Sequence, residues 1–395
     1  MKIAICISTC VVGGVTNSTS ILYKGFKAQG LEPKIIVTSR NKGGYFEELK
    51  KQDIEIKAVA EDKIWLKDRL DATFEALKDC DVVLNNHSQE TWLLLPRLPD
   101  RMVKLSVIRG VTRENIRDAV YNSEYLDALI GVSPVVQSLL LPRARCPVEV
   151  IPNSVTAQAA ILPQLDSKIR VTYLGRLSQT DKNILLLPEI IEALHEANLD
   201  YEFEIIGDGP DRARLVSMLE ARGLVDNVRF LGEMDYSEAE KRLKEAHFMV
   251  MPSNHESFGL TLVEAMALGV IPVVSPLPVF SWILGDCAPA LQVRQNQGVQ
   301  YAGIIKRLSL NPDEYQAMQR ELMNRQQNEF TPLQTVQKYR MLIERVAAEK
   351  ESGTTQAVFR CGKKQGNMPM SFALRSSRMY FQIQKTVRKI FKKGV

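Results

Sequence analysis

No stretch of this 395-residue chain approaches the about 20 consecutive apolar residues that span a membrane. A transmembrane helix is therefore not expected. Cysteine is sparse: Cys6, Cys10, Cys80, Cys146, Cys287 and Cys361 form no CxxC pair and no zinc spacing. Cys6 lies in an apolar run with no His near it in sequence, so buried free thiols in a reducing compartment are the expectation. The start MKIAICISTCVVGGV has a Lys and an apolar run but no A-x-A cleavage pattern after it. Its β-branched content suits a strand. Acidic residues are missing from 352–395, which hold ten Lys/Arg, so the rest of the chain carries 41 basic against 46 acidic residues. The net +5 thus belongs to the tail and not to the body.

What is present is the composition of a globular protein, 45% hydrophobic and 25% charged, at a length that suggests more than one domain. Apolar strands are predicted at 2–8, 34–38, 54–59, 81–85, 103–108, 127–132 and 148–151, with helices between them at 16–29, 64–78 and 113–123. A second series follows, with strands near 169–174, 203–206, 228–231, 248–251 and 270–274 and helices near 184–197, 211–222 and 237–246. Alternation of this kind argues for α/β architecture: two Rossmann-like, doubly wound parallel-sheet domains with a cleft between them. The expected divisions are 1–160, 161–330, a crossover helix at 331–350 broken from its predecessor at Thr331-Pro332, and a basic amphipathic tail at 351–395.

The chain is organised around 248–275, FMVMPSNHESFGLTLVEAMALGVIPVVS. A buried strand breaks at Pro252-Ser253-Asn254, and a helix from about Leu260 to Leu268 runs to Gly269. Glu256 then lies in a loop at the carboxyl end of a strand, where open α/β sheets bind ligands. Glu264 lies on the helix behind it. Between them the amides of Ser257, Phe258 and Gly259 leave a helix N-terminus, which attracts anions. Two acids flanking an anion site suit a sugar, a diphosphate and a ribose in a row. Upstream, a strand runs into Gly175-Arg176, with Lys182 six residues on, offering a planar fork and a mobile point charge for phosphate oxygens.

The Glu256-x7-Glu264 string resembles the motif of the retaining glycosyltransferases of family 4 (glycosyl transferases group 1), which have the GT-B fold. The resemblance implies that Glu256 contacts the donor sugar and Glu264 the nucleotide ribose, with Ser257, Phe258, Gly259 and Leu260 at the diphosphate. It makes Arg176 and Lys182 the cations on the departing diphosphate, although the family's usual Glu before the Lys is Asp181 here. Ile206-Gly207-Asp208-Gly209 matches the turn bordering the nucleotide; GxGxxG is incomplete, with Arg212 in its third place, so a dinucleotide site is weakly supported. Gly13-Gly14 fits the glycine-rich loop that faces the diphosphate. Helices crossing back onto the first domain are implied as well.

The family's His at the end of an N-domain strand is replaced by Arg109, and His87 at the preceding strand end is the other candidate for the sugar or acceptor side. His195 and His247 read as helix-surface and strand-edge residues. Asp79-Cys80-Asp81 spells a DxD but precedes a strand, so no metal is expected. No cofactor is implied beyond the substrate, a nucleotide-diphosphate sugar of UDP or GDP type. The implied activity is hexosyl transfer to a glycan or lipid-linked acceptor, in cell-surface polysaccharide, lipopolysaccharide or glycolipid synthesis. The alternatives are a catalytically silent nucleotide-sugar-binding protein or a GT-B epimerase or phosphorylase. In residues 375–393, Met379, Ile383, Val387 and Ile390 share one face while Arg378, Lys385, Arg388, Lys389 and Lys392 take the other. That pattern suits an anionic membrane surface, giving a cytoplasmic protein peripheral on the inner face. No aromatic platform accompanies these charges, so nucleic acid is not expected.

Overall fold

The computed structural model describes residues 1–353 apart from residue 12 and residues 157–161. The amphipathic 375–393 segment lies outside the described residues. Two sheets form, and every strand pair in them is parallel. The first contains β1 (Lys2–Ile7), β2 (Glu32–Val37), β3 (Ile56–Ala58), β4 (Val82–Asn85), β5 (Val103–Ile108), β6 (Ala128–Gly131) and β7 (Val148–Val150). The second contains β8 (Ile169–Leu174), β9 (Tyr201–Ile206), β10 (Val228–Gly232), β11 (Phe248–Met251) and β12 (Ile271–Val274). Ile3, Ile5 and Leu105 in the first sheet and Phe248 and Val250 in the second are wholly buried. Helices covering both faces of a parallel sheet require such two-sided apolar strands.

The strand orders place the site. They run β3-β2-β1-β4-β5-β6-β7 and β10-β9-β8-β11-β12. The order reverses between β1 and β4 in one sheet and between β8 and β11 in the other. Loops leaving adjacent strands at such a point diverge to opposite faces and open a crevice at the carboxyl edge. The loops after β1 and β4 carry Gly13, Gly14 and His87. Those after β8 and β11 carry Arg176 and Glu256.

The helix Pro332–Glu351 crosses back onto the first domain. Thr331 caps it by accepting from the Gln334 amide, and Pro332 starts it. It packs on the helix Gly14–Ala28, where an added Cβ on Gly25 would lie 2.3 Å from Val336, and Phe26 meets Tyr339 edge-on at 6.4 Å. Ion pairs Arg345–Glu149 (2.6 Å) and Lys350–Asp127 (2.8 Å) tie its far half to the same domain. The Val155 amide donates to the Phe330 carbonyl at 3.2 Å, so the two passages between domains run side by side.

Two expectations need correction. The helix predicted at 184–197 begins as a 3₁₀ turn, Ile184–Leu186, and becomes α-helical only over Leu187–Glu196, with Pro188 in its first turn. His247 is not an edge residue. It is wholly buried ahead of β11, and its ring nitrogen Nδ1 accepts from the Arg170 amide at 3.1 Å.

Candidate functional site

The loop after β11 is held from beneath by its own apolar side chain. Phe258 turns into the core, where its ring meets Trp282 at 6.1 Å and Phe330 at 5.9 Å. Only the Phe258 backbone faces the cleft. This anchoring presents Glu256 above it. Lys182 Nζ donates to Glu256 Oε1, and Ser253 Oγ donates to the same oxygen at 3.1 Å. Lys182 arrives there because the short helix Gln179–Lys182 ends on Asn183 in the left-handed region (φ 52°). The Asp181 carbonyl then accepts from the amides of Asn254 (2.9 Å) and His255 (3.1 Å), joining this turn to the β11 loop.

Arg176 is the contrast. It is exposed, and no ion pair or side-chain hydrogen bond is formed by its guanidinium among the described residues. It lines a cavity of about 590 Å³ with Gly207, Asp208, Glu233 and Met234. Gly207 is obligatory there: φ is +128°, and an added Cβ would sit 2.1 Å from the Gly175 carbonyl oxygen. Gly259 precedes the helix Leu260–Ala267 at φ +106°. From the other domain Gly14 approaches so closely that an added Cβ would lie 2.8 Å from Leu260 Cδ1. Ser133 Oγ donates to the Ser257 carbonyl at 2.7 Å. The two sides of the cleft therefore touch at the anion-ready helix end.

Glu264 is half-buried on that helix, and its carboxylate forms no hydrogen bond or ion pair among the described residues. Burial, and then the Glu240 carboxylate, push it up to about 7. A raised carboxyl binds its proton more tightly in the folded than in the unfolded chain. Its stabilising contribution is therefore present at low pH and lost as pH rises from 4.5 to about 7. Melting followed across this window should show the decline, and Glu264→Gln should flatten it. An unchanged slope in the variant would show that Glu264 is not the titrating group.

His87 and Arg109 come together in the first domain. Both line a cavity of about 300 Å³ at the carboxyl ends of β4 and β5. His87 has φ +82°, an uncommon backbone state for a residue with a side chain and one that gathers at functional sites. Its imidazole is pushed below the ordinary range by desolvation, with a backbone hydrogen bond opposing and the Arg109 charge assisting. The Arg109 fork is already engaged. Its Nε (3.1 Å) and Nη2 (2.9 Å) donate to Asn86 Oδ1, and Nη1 donates to Asn153 Oδ1. Asn86 in turn donates to Thr19 Oγ1 at 2.6 Å. Ser133 carried no assigned role in the sequence reading, and the partners of Ser253, Asn86 and Asn153 are visible only in the structure. Ser133 carries one usable signal, since it caps the helix Pro134–Leu140.

Elsewhere, Asp81 accepts from the Lys2 amide at 2.7 Å at the amino ends of the strands. The Asp79-Cys80-Asp81 carboxylates thus lie at the edge of the sheet opposite the cleft. His195 is exposed on its helix, and His255 is exposed beside Glu256. No group of three or more His, Cys, Asp or Glu among the described residues is arranged to hold a metal. Cys6, Cys10, Cys80, Cys146 and Cys287 are buried free thiols.

Two parallel-sheet domains, switch points facing one another and returning C-terminal helices define the GT-B fold. HepE of Anabaena, solved with UDP, shares it at a TM-score of 0.74 over 87% of this chain and 100% of that one, with 15% identity. Residues 156–325 match the family described as glycosyl transferases group 1. A phosphatidyl-myo-inositol mannosyltransferase of Mycobacterium leprae is 31% identical over 192 residues, 47% of this chain and 49% of that protein. A 2-deoxystreptamine glucosyltransferase of Streptomyces kanamyceticus is 27% identical over 151 residues, 38% of each. The chain thus spans about half or less of the length of these curated relatives.

Proposed function

We propose that the protein is a retaining glycosyltransferase that moves a hexosyl group from a nucleotide-diphosphate sugar to an acceptor hydroxyl. The observation that carries this reading is the Lys182–Glu256 pair beside the amide-bearing end of the helix Leu260–Ala267, with unpaired Arg176 nearby. The names of the relatives, a mannosyltransferase and a glucosyltransferase, support it, and the UDP in HepE supports a nucleotide-sugar donor.

In this mechanism the diphosphate lies on the backbone of Ser257–Leu260, opposite Gly14. Its ribose hydroxyls donate to Glu264. Negative charge grows on the diphosphate as the glycosidic bond breaks, and Arg176 and Lys182 meet it with preorganised positive charge. Glu256 accepts from donor-sugar hydroxyls while its partner Lys182 reaches the phosphate. The leaving phosphate oxygen takes the acceptor proton on the face it vacates, so configuration is retained without a second carboxylate as nucleophile. These cations provide the charge stabilisation without a metal. Incubation with labelled UDP-, GDP- and ADP-sugars, reading donor hydrolysis, tests the proposal. Absence of turnover with all of them would refute it.

The acceptor in this reading is a glycan or a lipid-linked glycan, presented at the inner face of a membrane. No helix among the described residues is long and apolar enough to cross a bilayer. Contact would be made by residues 375–393, whose charge is all basic. Removing 352–395 should release the protein from anionic vesicles and leave donor hydrolysis in place. Equal vesicle binding by both forms at low and moderate salt would remove the tail from the argument.

A further inference from the structure

The backbone beside the anion-ready helix end is held from the other domain. Ser133 follows β6 in the first sheet and is wholly buried. Its hydroxyl has two partners. As the cap of the helix Pro134–Leu140 it accepts from the Val136 amide at 3.3 Å. It also donates to the Ser257 carbonyl at 2.7 Å, 124 residues away and on the far side of the cleft. A hydroxyl rotates about its C–O bond, and a donor already seated on one lone pair limits where its proton can turn. The cap therefore aims the proton. Capping alone needs only the bond from Val136, so the bond to Ser257 calls for a reason of its own.

That reason lies in the peptide whose carbonyl is held. The Ser257–Phe258 peptide is trans, and a trans peptide sends its N–H opposite to its C=O. With the carbonyl turned to Ser133, the Phe258 N–H is turned away from it. Neither this N–H nor those of Ser257 and Gly259 meets an acceptor among the described residues. Backbone donors in a segment this buried are rarely left unpaired. Three in succession before the helix Leu260–Ala267 form a set reserved for an anion.

Two restraints fix the plane of that peptide. The Phe258 ring, set against Trp282 and Phe330, anchors the residue but leaves the peptide before it free to turn about the bonds on either side. Gly259, at φ +106°, adds little resistance to such a turn. The Ser133 bond supplies the missing restraint. We propose that Ser133 is a positioning residue for transfer: by holding the Ser257 carbonyl it sets the Phe258 N–H for the donor diphosphate, so the anion site of the second domain is complete only with the first domain in place. The inference rests on the glycosyl-transfer reading. A dipole oriented before the glycosidic bond breaks costs no reorganisation as charge develops on the leaving group.

The test uses the full chain labelled with ¹³C at serine carbonyls and ¹⁵N at phenylalanine amides. Only the peptides Ser257–Phe258 and Ser371–Phe372 then give a carbonyl–amide correlation in NMR, and Ser371→Ala removes the second. In the parent, saturating UDP or GDP should move the Phe258 amide line. Ser133→Ala should move the Ser257 carbonyl line without nucleotide and shrink the response of the amide line to nucleotide. Donor turnover in this variant should fall about tenfold, the worth of one lost hydrogen bond. Ser133→Gly should lose the same turnover yet melt higher than Ser133→Ala, because glycine caps a helix better than alanine does. A purely structural Ser133 would instead make turnover follow melting. Ser138→Ala is the control: its hydroxyl lies on the same helix, donates only to the Val135 carbonyl at 2.8 Å, and should leave turnover unchanged. An unmoved carbonyl line, an undiminished nucleotide response, or turnover kept in both Ser133 variants would each overturn the proposal. If the carbonyl line moves in Ser133→Ala but the parent shows no response to either nucleotide, the contact is real, and the donor reading fails and takes the positioning role with it.

Discussion

Arg176→Ala is expected to cut turnover about a hundredfold and to leave the melting temperature unchanged. The exposed guanidinium makes no contact that the fold needs, so its deletion removes only a charge aimed at the cleft. One preorganised contact to developing charge is worth on the order of 3 kcal/mol in the transition state. Lys182→Ala should lose a similar factor but with a different side effect. Glu256 is 10% exposed, and without Lys182 it keeps only the Ser253 hydroxyl, so stability should fall as well. Measured together, turnover and melting separate the two cations: one acts on the substrate alone, the other also neutralises a carboxylate. If both variants stay within threefold of the parent with every active donor, the diphosphate does not lie where we place it.

The second large effect divides the two glutamates. Glu256→Gln keeps size but turns half of an acceptor into a donor, and charge-assisted bonds are about twice as strong as neutral ones. Turnover of the nucleotide-sugar should fall steeply while affinity for the bare nucleotide diphosphate barely changes. Glu264→Gln should do the reverse. The pH dependence gives a further handle on Glu264. Ribose hydroxyls that donate to the ionised carboxylate favour its charged form, so nucleotide should bind more tightly at about pH 8 than at about pH 6, with proton release. That dependence should vanish in Glu264→Gln. Calorimetric titration in buffers of different ionisation enthalpy reads both. If Glu256→Gln loses nucleotide and Glu264→Gln keeps it, the donor lies the other way round.

Much of this arrangement could be read from residue order. The strands at 103–108, 169–174 and 248–251 lie where their apolar runs place them, because a strand buried on both faces is a nearly continuous hydrophobic string. The Thr331-Pro332 break was equally legible, since a capping Thr followed by Pro is a local instruction. Helices such as Gln89–Leu94 and Pro134–Leu140 were not, as six or seven residues are too few to show a 3.6-residue period. Those short helices carry Trp92 and follow Ser133, which is why the cavity wall and the contact to Ser257 stayed hidden. The Glu256, Lys182 and Gly207 loops are each legible in sequence, but that Lys182 Nζ reaches Glu256 depends on β8 lying beside β11. Residues such as Asn86 and Asn153, which orient Arg109, have no local signature because they meet only through the sheet order.

The return of the last described helix onto the first domain sets an order of assembly that differs from the order of synthesis. Domains of a nascent chain ordinarily fold as units, the N-terminal one first. Here the strands of the first sheet all emerge early, yet the face of Gly14–Ala28 around Gly25 and Phe26 has no cover until Pro332–Glu351 has been made. Asp127 and Glu149 likewise wait for Lys350 and Arg345. The second domain therefore completes its own sheet before the first can close its surface. A stop codon near residue 330 would leave the second domain intact and the first with an open apolar seam, a species for chaperones and proteases.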